Sequence, residues 1–271
     1  IALGVAALIV VLSVMNGFQA ELRTRILGVA AHVEISGEGN ALSDWPAVME
    51  FAKQHREVRG AAPYIMAQGL LSFDQAVHGA MMRGILPELE SQVADIGSHM
   101  KMGSLDNLKP GEFGIVLGVD MARALRVSQG DKVVLIAPQG QVTPAGVMPR
   151  MKQFTVVGIF EVGMFEYDNG LALMHLNDAA TLYRLGDKVT GVRLKLAELF
   201  AAPRVARELN ATLPTGIYAG DWTRAHANFF RAIQIEKNVM FIILLLIVAV
   251  AAFNIVSTLV MAVTDKQADI A

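Results

Sequence analysis

Hydrophobic positions are distributed very unevenly along the 271 residues. Near one end, Val239–Val263 (VMFIILLLIVAVAAFNIVSTLVMAV) carries no charge between Lys237 and Asp265. About twenty apolar residues let a helix cross the hydrocarbon core of a bilayer, so this run predicts a spanning helix over 238–264, with some tilt. At the other end, Ile1–Phe18 (IALGVAALIVVLSVMNGF) is also uncharged. It predicts a second spanning helix over 1–18. A secretory signal peptide is the competing reading, but no basic segment leads the run and no small-residue cleavage signal stands out near Gln19–Ala20. The run starts inside its own hydrophobic stretch without a Met, and the chain stops at DKQADIA just past the second run. The chain therefore reads as a piece of a larger membrane protein.

Between the two runs the periodicity changes. Glu21–Leu27 predicts an amphipathic helix leaving the first span, ended by Gly28. In AAHVEISG, Val33 and Ile35 alternate with His32 and Glu34, the period of a half-buried strand. Ser43 opens a predicted helix, SDWPAVMEFAKQH, with Pro46 in its first turn and Val48, Met49 and Ala52 on one side. VRGAAPYIMAQGLLSF reads as strand, turn, strand, and AVHGAMMRGI as a further strand. A second block follows. EFGIVLG predicts a strand ending at Gly118, VDMARALRV a helix burying Met121, Leu125 and Val127, and QGDKVVLIAP a strand entered through a Gly–Asp turn. KQFTVVGIF alternates Phe154, Val156 and Gly158 against Thr155 and Val157. LALMHL predicts a strand and NDAATLYRL a helix capped by Asn177. This block reads as a small β-rich barrel-like or sandwich unit. TGVRLKL and AAPRVARELNATL then return to the first block as strand and helix, and from Asp221 an amphipathic helix feeds into the second span. The fold class is a membrane protein whose transmembrane α-helices flank a large α+β domain over 19–237.

Composition narrows the function by exclusion. A net charge of −2 and the absence of any basic run argue against nucleic-acid binding by bulk electrostatics. The absence of cysteine removes disulfides, thiolate catalysis and Cys-type zinc sites. The six histidines (His32, His55, His78, His99, His175 and His226) form no HExxH and no helical ligand pair, so no metal site is expected. There is no G-x-S-x-G elbow and no Walker A sequence. Glu161, Glu166 and Asp168 are close in sequence and read as a solvated rim. No catalytic residue, cofactor or metal is expected.

Two segments carry candidate binding chemistry. Pro138–Gln153 (PQGQVTPAGVMPRMKQ) predicts a connection of about fifteen residues where a hairpin needs two to five. Its prolines and glycines stiffen it, and Val142, Val147 and Met148 have no obvious core to enter. Such a segment is a binding loop or a disordered one, and its apolar tip favours binding. In the second span, Asn254, Ser257 and Thr258 recur on one face. Polar groups in hydrocarbon point at another helix or line a cavity.

These residues resemble a known family. LSVMNGFQAELRTRILGVAAHVEI and AVAAFNIVSTLVMAVTDKQADIA are similar to the first-helix exit and second helix of the LolC/LolE permeases of the bacterial lipoprotein-releasing ABC transporter. IVLG, MARALRV, GDKVVLIAP and FTVVGIF resemble their periplasmic domain, and the likeness covers essentially the whole chain. It implies a MacB-like permease with a βαβ-like lobe over about 29–85 and 189–220 and an inserted β-rich lobe over about 86–188. It also implies a bacterial inner-membrane location, with the large domain in the periplasm and a cytoplasmic coupling segment starting at 265–271.

In LolC-type permeases a protruding hairpin, the hook, captures the soluble carrier LolA. The resemblance puts that hook at 139–152, through Thr143, Pro144, Gly146 and Pro149. Val142, Ala145, Val147, Met148, Arg150 and Lys152 complete the carrier-binding set. A polar pad is expected beside the hook. Met151 departs from it, leaving Lys152 as its best member. The same resemblance places Phe253, Asn254, Ser257 and Thr258 along a lipoprotein cavity. The second helix looks more like LolE and the hook like LolC, as in a merged permease acting as a homodimer. The implied partners are a LolD-type ATPase subunit, a second permease of LolC/LolE type or a second copy, the carrier LolA, the lipoprotein substrate and membrane lipids. The alternatives are another MacB-type permease for drugs or peptides, and a two-span signalling or regulatory protein. A membrane-anchored enzyme is more remote.

Overall fold

The computed structural model describes residues 31–143, 146–225 and 227–270, with Val10, Ser13 and Gly17 from the start of the chain. The rest of the expected first span and the helix expected over Glu21–Leu27 lie outside the described residues. Residues 31–222 belong to one compact unit, and the long C-terminal helix belongs to a second.

The first unit opens with β1 (Val33–Gly37), whose buried positions alternate with partly exposed ones as the sequence predicts. Helix α1 (Trp45–Lys53) buries Val48, Met49 and Ala52, with Pro46 in the first turn. Its N-cap is Asp44 and not Ser43. Next, β2 (Val58–Phe73) is a single strand of 16 residues where the sequence predicts strand, turn, strand. The residues that suggest a turn have other roles. Among the described residues, Pro63 lies where β2 pairs with one neighbour only, so its missing N–H interrupts no ladder there. A Cβ at Gly60 would strike Gln92 O at 2.2 Å, and one at Gly69 would strike Leu135 Cδ1 at 2.6 Å, so these glycines permit close packing.

After β3 (Ala76–Ile85) come α2 (Pro87–Glu90), β4 (Met100–Gly103), β5 (Gly114–Gly118) and α3 (Val119–Leu125), which buries Met121 and Leu125. Then follow β6 (Lys132–Thr143), β7 (Gly146–Phe160), α4 (Phe165–Gly170), β8 (Leu171–His175) and α5 (Leu176–Tyr183). The cap of α5 is His175, whose Nδ1 accepts the Asn177 N–H, and not Asn177 itself. The unit closes with β9 (Gly191–Leu196), α6 (Ala202–Asn210), β10 (Ile217–Asp221) and the start of α7 (Trp222–Ala225).

Strands β10, β1, β9 and β2 lie side by side, each antiparallel to its neighbour. So β1 runs parallel to β2 with β9 between them, and β9 runs parallel to β10 with β1 between them. With α1 and α6 as crossovers, these are two interlocked split βαβ units, the α/β layer expected from the alternation. Everything between β2 and β9 is inserted.

The insertion closes on itself. The second half of β2 pairs with β3, β3 with β8, β8 with β5, β5 with β7, β7 with β6, and β6 with β2 again. The choice between barrel and sandwich thus resolves to a barrel, with β4 added outside β7. Directly paired residues fill its interior: Leu71 with Leu135, Val133 with Phe154, and Ile115 with Met174, all buried. Because β2 and β3 serve this barrel, the sheet does not break at the lobe boundary expected between 85 and 86. Strand β2 is shared by both halves.

The second unit contains α8 (Ala227–Ile270), a helix of 44 residues. Its segment Asn238–Thr264 is long and apolar enough to cross a membrane. At 1.5 Å per residue those 27 residues reach about 40 Å, against about 30 Å of hydrocarbon. Helix α8 is already helical from Ala227, inside the range expected for the soluble domain.

Candidate functional site

The expected loop at Pro138–Gln153 is mostly a two-stranded arm. Strands β6 and β7 pair from Lys132↔Thr155 up to Ala137↔Arg150, and again at Gln141↔Met148, Val142↔Val147 and Thr143↔Gly146. Three residues on β6 (138–140) and one on β7 (Pro149) separate the two stretches of ladder. Pro138 and Pro149 sit in this irregular stretch, and neither can donate a ladder hydrogen bond. A register shift there is the form of a β-bulge, which bends and twists a strand. Beyond it, among the described residues, the outer rungs of β6 and β7 pair only with each other. The prolines thus interrupt a hairpin and do not replace it with a loop. Pro144 and Ala145 lie outside the described residues.

At the root of the arm the structure describes individual side chains. Arg150 donates from Nη1 to Leu182 O at 3.3 Å. Lys152 is exposed and holds Nζ 3.9 Å from the centroid of the Phe113 ring, a cation–π contact. Phe113 stacks edge-on against buried Phe154 at 5.5 Å. Phe113 has a left-handed backbone (φ 51°), and its N–H donates to the buried Asp178 carboxylate at 3.0 Å. The other oxygen of Asp178 accepts the Gly111 N–H at 2.7 Å. Asp178 therefore pins the loop whose aromatic ring receives Lys152. Met151, the residue that departs from a polar pad, is 61% exposed.

On α8, Phe253, Asn254, Ser257 and Thr258 are all exposed. The Thr258 hydroxyl donates to Asn254 O at 2.7 Å, and Thr264 repeats the pattern to Val260 O at 2.8 Å. Threonine satisfies its donor within the helix this way and leaves an oxygen lone pair available outward.

One grouping expected as a rim has another role. Asp168 is buried and accepts the Val162 and Gly163 N–H groups, both at 2.8 Å, so it is a structural turn anchor. Glu161 instead meets Lys101 at 2.9 Å on the surface.

A buried polar cluster had no sequence signal. Arg193 on β9 pairs with Glu90 on α2, and Arg83 on β3 lies beside them. The Tyr64 hydroxyl donates to Glu34 at 3.1 Å, and burial together with Glu34 pushes that phenol well above its ordinary range. Four of these residues sit on three strands and a helix far apart in the chain, and charged residues in strands read as solvent-facing. Among the described residues no group of three or more His, Asp or Glu could hold a metal ion.

A model of the MacB-like periplasmic core domain matches residues 1–212. Over 276 residues the chain is 51% identical to the lipoprotein-releasing system transmembrane protein LolC of Neisseria meningitidis serogroup B (strain ATCC BAA-335 / MC58), covering 100% of this chain and 66% of that protein. LolC of Xylella fastidiosa (strain 9a5c) is 49% identical over 271 residues, covering 100% and 65%. LolE of Haemophilus influenzae (strain ATCC 51907 / DSM 11121 / KW20 / Rd) is 35% identical over 277 residues, covering 100% and 66%. The chain spans just under two thirds of the length of these curated relatives. With its split βαβ layer, its inserted barrel and a family match over most of its length, the chain belongs to the family of the MacB-like periplasmic core domain.

Proposed function

We propose that the chain is part of a non-catalytic permease subunit that extracts lipoproteins from the bacterial inner membrane and passes them to the soluble periplasmic carrier LolA. A separate LolD-type subunit hydrolyses ATP. The observation that carries this reading is 51% identity along the whole chain to a protein of a lipoprotein-releasing system. The arm supplies the mechanism. Among the described residues the outer rungs, Gln141–Thr143 and Gly146–Met148, pair with each other and with no other strand, which suits capture of a carrier by apolar and backbone contacts.

In this reading the unit formed by residues 31–222 lies in the periplasm, and Asn238–Thr264 crosses the inner membrane. Phe253, Asn254, Ser257 and Thr258 line the path of the acyl chains. Helix α8 runs without a break from Ala227 to Ile270, so it can carry movement of the ATPase from the cytoplasmic end toward the domain. The complex needs a second permease. Similarity to LolE as well as LolC supports a second copy of this chain in that place.

The test is release of a lipidated protein from proteoliposomes holding the full-length permease and its ATPase. Release that requires both ATP and the carrier is expected, and Met148→Asp should abolish it while ATP hydrolysis persists. Release that ignores the carrier would reject the reading.

A further inference from the structure

A second surface lies at the root of the arm. Register places Gly79, Leu70, Ile136 and Met151 side by side on four successive strands, β3, β2, β6 and β7. Directly paired residues of neighbouring strands share a face. This row is on the outside of the barrel, since the next residues along, Leu71 and Leu135, are its buried filling. Leu70 is 46% exposed, Met81 40% and Met151 61%. Beneath the row is an open cavity of about 550 Å³, lined by Leu70, Gly79, Met81, Ile136, Pro138 and Gly170 among others. That volume falls within the range of sites that hold small ligands.

Two properties indicate what would occupy it. The first is charge. Among the described residues no ionisable side chain lines the cavity, so they offer nothing to a phosphate headgroup or a charged peptide and match an uncharged hydrocarbon. The second is the glycines. A Cβ at Gly79 would find only Leu70 Cδ2 at 3.8 Å, and one at Gly170 would meet nothing within 4 Å. Neither residue has a left-handed backbone. The fold therefore needs no glycine at these positions, and an interior strand glycine weakens a strand. What their bareness does is keep the slot open, and a glycine of this kind marks close approach of a ligand.

We propose that this slot receives a single aliphatic chain, the acyl tail of the lipid-modified cargo, at the root of the β6–β7 arm. The inference rests on the reading of the chain as a lipoprotein-releasing permease. The slot begins where the arm's ladder shifts after Ala137, so a tail held there lies next to the segment assigned to carrier capture. Met81 suits the task, because an unbranched thioether side chain adapts to a mobile hydrocarbon.

The test uses the complete transporter in membrane vesicles, with the photoreactive residue p-benzoylphenylalanine in place of Leu70 and a cargo lipoprotein bearing alkyne-tagged acyl chains. Illumination during ATP-driven release should give an adduct containing both permease and tagged cargo, lost when the cargo's lipidated cysteine is replaced. Gly79→Ile should lower its yield about tenfold. That variant fills the slot with a side chain that strands favour, so its thermal midpoint should not fall. An adduct with the carrier or with bulk phospholipid, no adduct, or an unchanged yield in Gly79→Ile overturns the proposal. A parallel photoreactive residue at Val142 reports carrier capture by the arm. If that adduct persists while Leu70 fails, the slot proposal falls and the transport reading stands. If both fail, the transport reading falls too.

Discussion

Arg193 on β9 and Glu90 on α2 form an ion pair with 1% and 0% of their side chains exposed. Burial works against the Arg193 charge, and Glu90 beside it more than offsets this, holding the guanidinium above its ordinary range. The pair joins the split βαβ layer to the segment that leaves the barrel strand β3. Glu90→Gln would leave a buried charge uncompensated, at a cost of about 3–5 kcal/mol. Urea unfolding of the detergent-solubilised chain should show that loss, and a change below 1 kcal/mol would mean the pair is not formed in solution.

Arg83 should behave in the opposite way. Burial, and then its neighbour Arg193, push its charged form down, and its Nε and Nη1 meet no acceptor among the described residues. Arg83→Leu removes both costs, so its thermal midpoint is expected to equal or exceed that of the parent. A drop comparable to that of Glu90→Gln would show that Arg83 has a partner essential to the fold.

Stability should decline on mild acidification. His32 Nδ1 accepts the Leu196 N–H at 3.1 Å, and His175 Nδ1 accepts the Asn177 N–H at 3.2 Å, so both contacts need an unprotonated Nδ1. Burial, with Lys195 adding repulsion, holds His32 below its ordinary 6.5. Burial does the same for His175, against Asp178 and Glu88. Near and below pH 6.5 the unfolded chain therefore binds protons that the folded chain refuses, and stability falls with pH until the folded-state pKa values are passed. The thermal midpoint should be flat from about pH 8 to 7 and lower at about pH 5.5. His175→Asn keeps an acceptor suited to an N-cap and cannot titrate, so it should shallow the decline. An identical profile in that variant would remove His175 from the account.

Asp178 is the brace under the arm's root. Asp178→Ala frees the Gly111 and Phe113 N–H groups and should cost about 2–3 kcal/mol. Lys152→Ala, which removes one exposed cation–π contact, should cost no more than about 1 kcal/mol. Equal losses in urea unfolding would contradict this division of labour.

Elements set by local pattern were legible in the sequence. The strand end at Gly118 and the core positions Met121, Leu125 and Val127 follow from local pattern alone, as does the alternation of β1. What depends on distant pairing was not. Nothing local in VRGAAPYIMAQGLLSF says that one half of the strand serves the βαβ layer and the other closes a barrel, and its glycines and proline imitate a turn. The arm was located by its prolines but read as a loop. Pro138 and Pro149 break the ladder for a few residues, and Gln141–Thr143 restores it with Gly146–Met148. The buried Arg83, Glu90 and Arg193 come from segments up to 110 residues apart, so only the fold brings them together.

The central claim is capture of a soluble carrier by the β6–β7 arm, and the most direct measurement is calorimetric titration of the intact detergent-solubilised chain with the periplasmic lipoprotein carrier. The account expects a micromolar Kd, about −8 kcal/mol, abolished by Met148→Asp and weakened by Pro144→Gly without loss of thermal stability. Unchanged affinity in both variants, or no binding by the parent chain at high concentration, would contradict it.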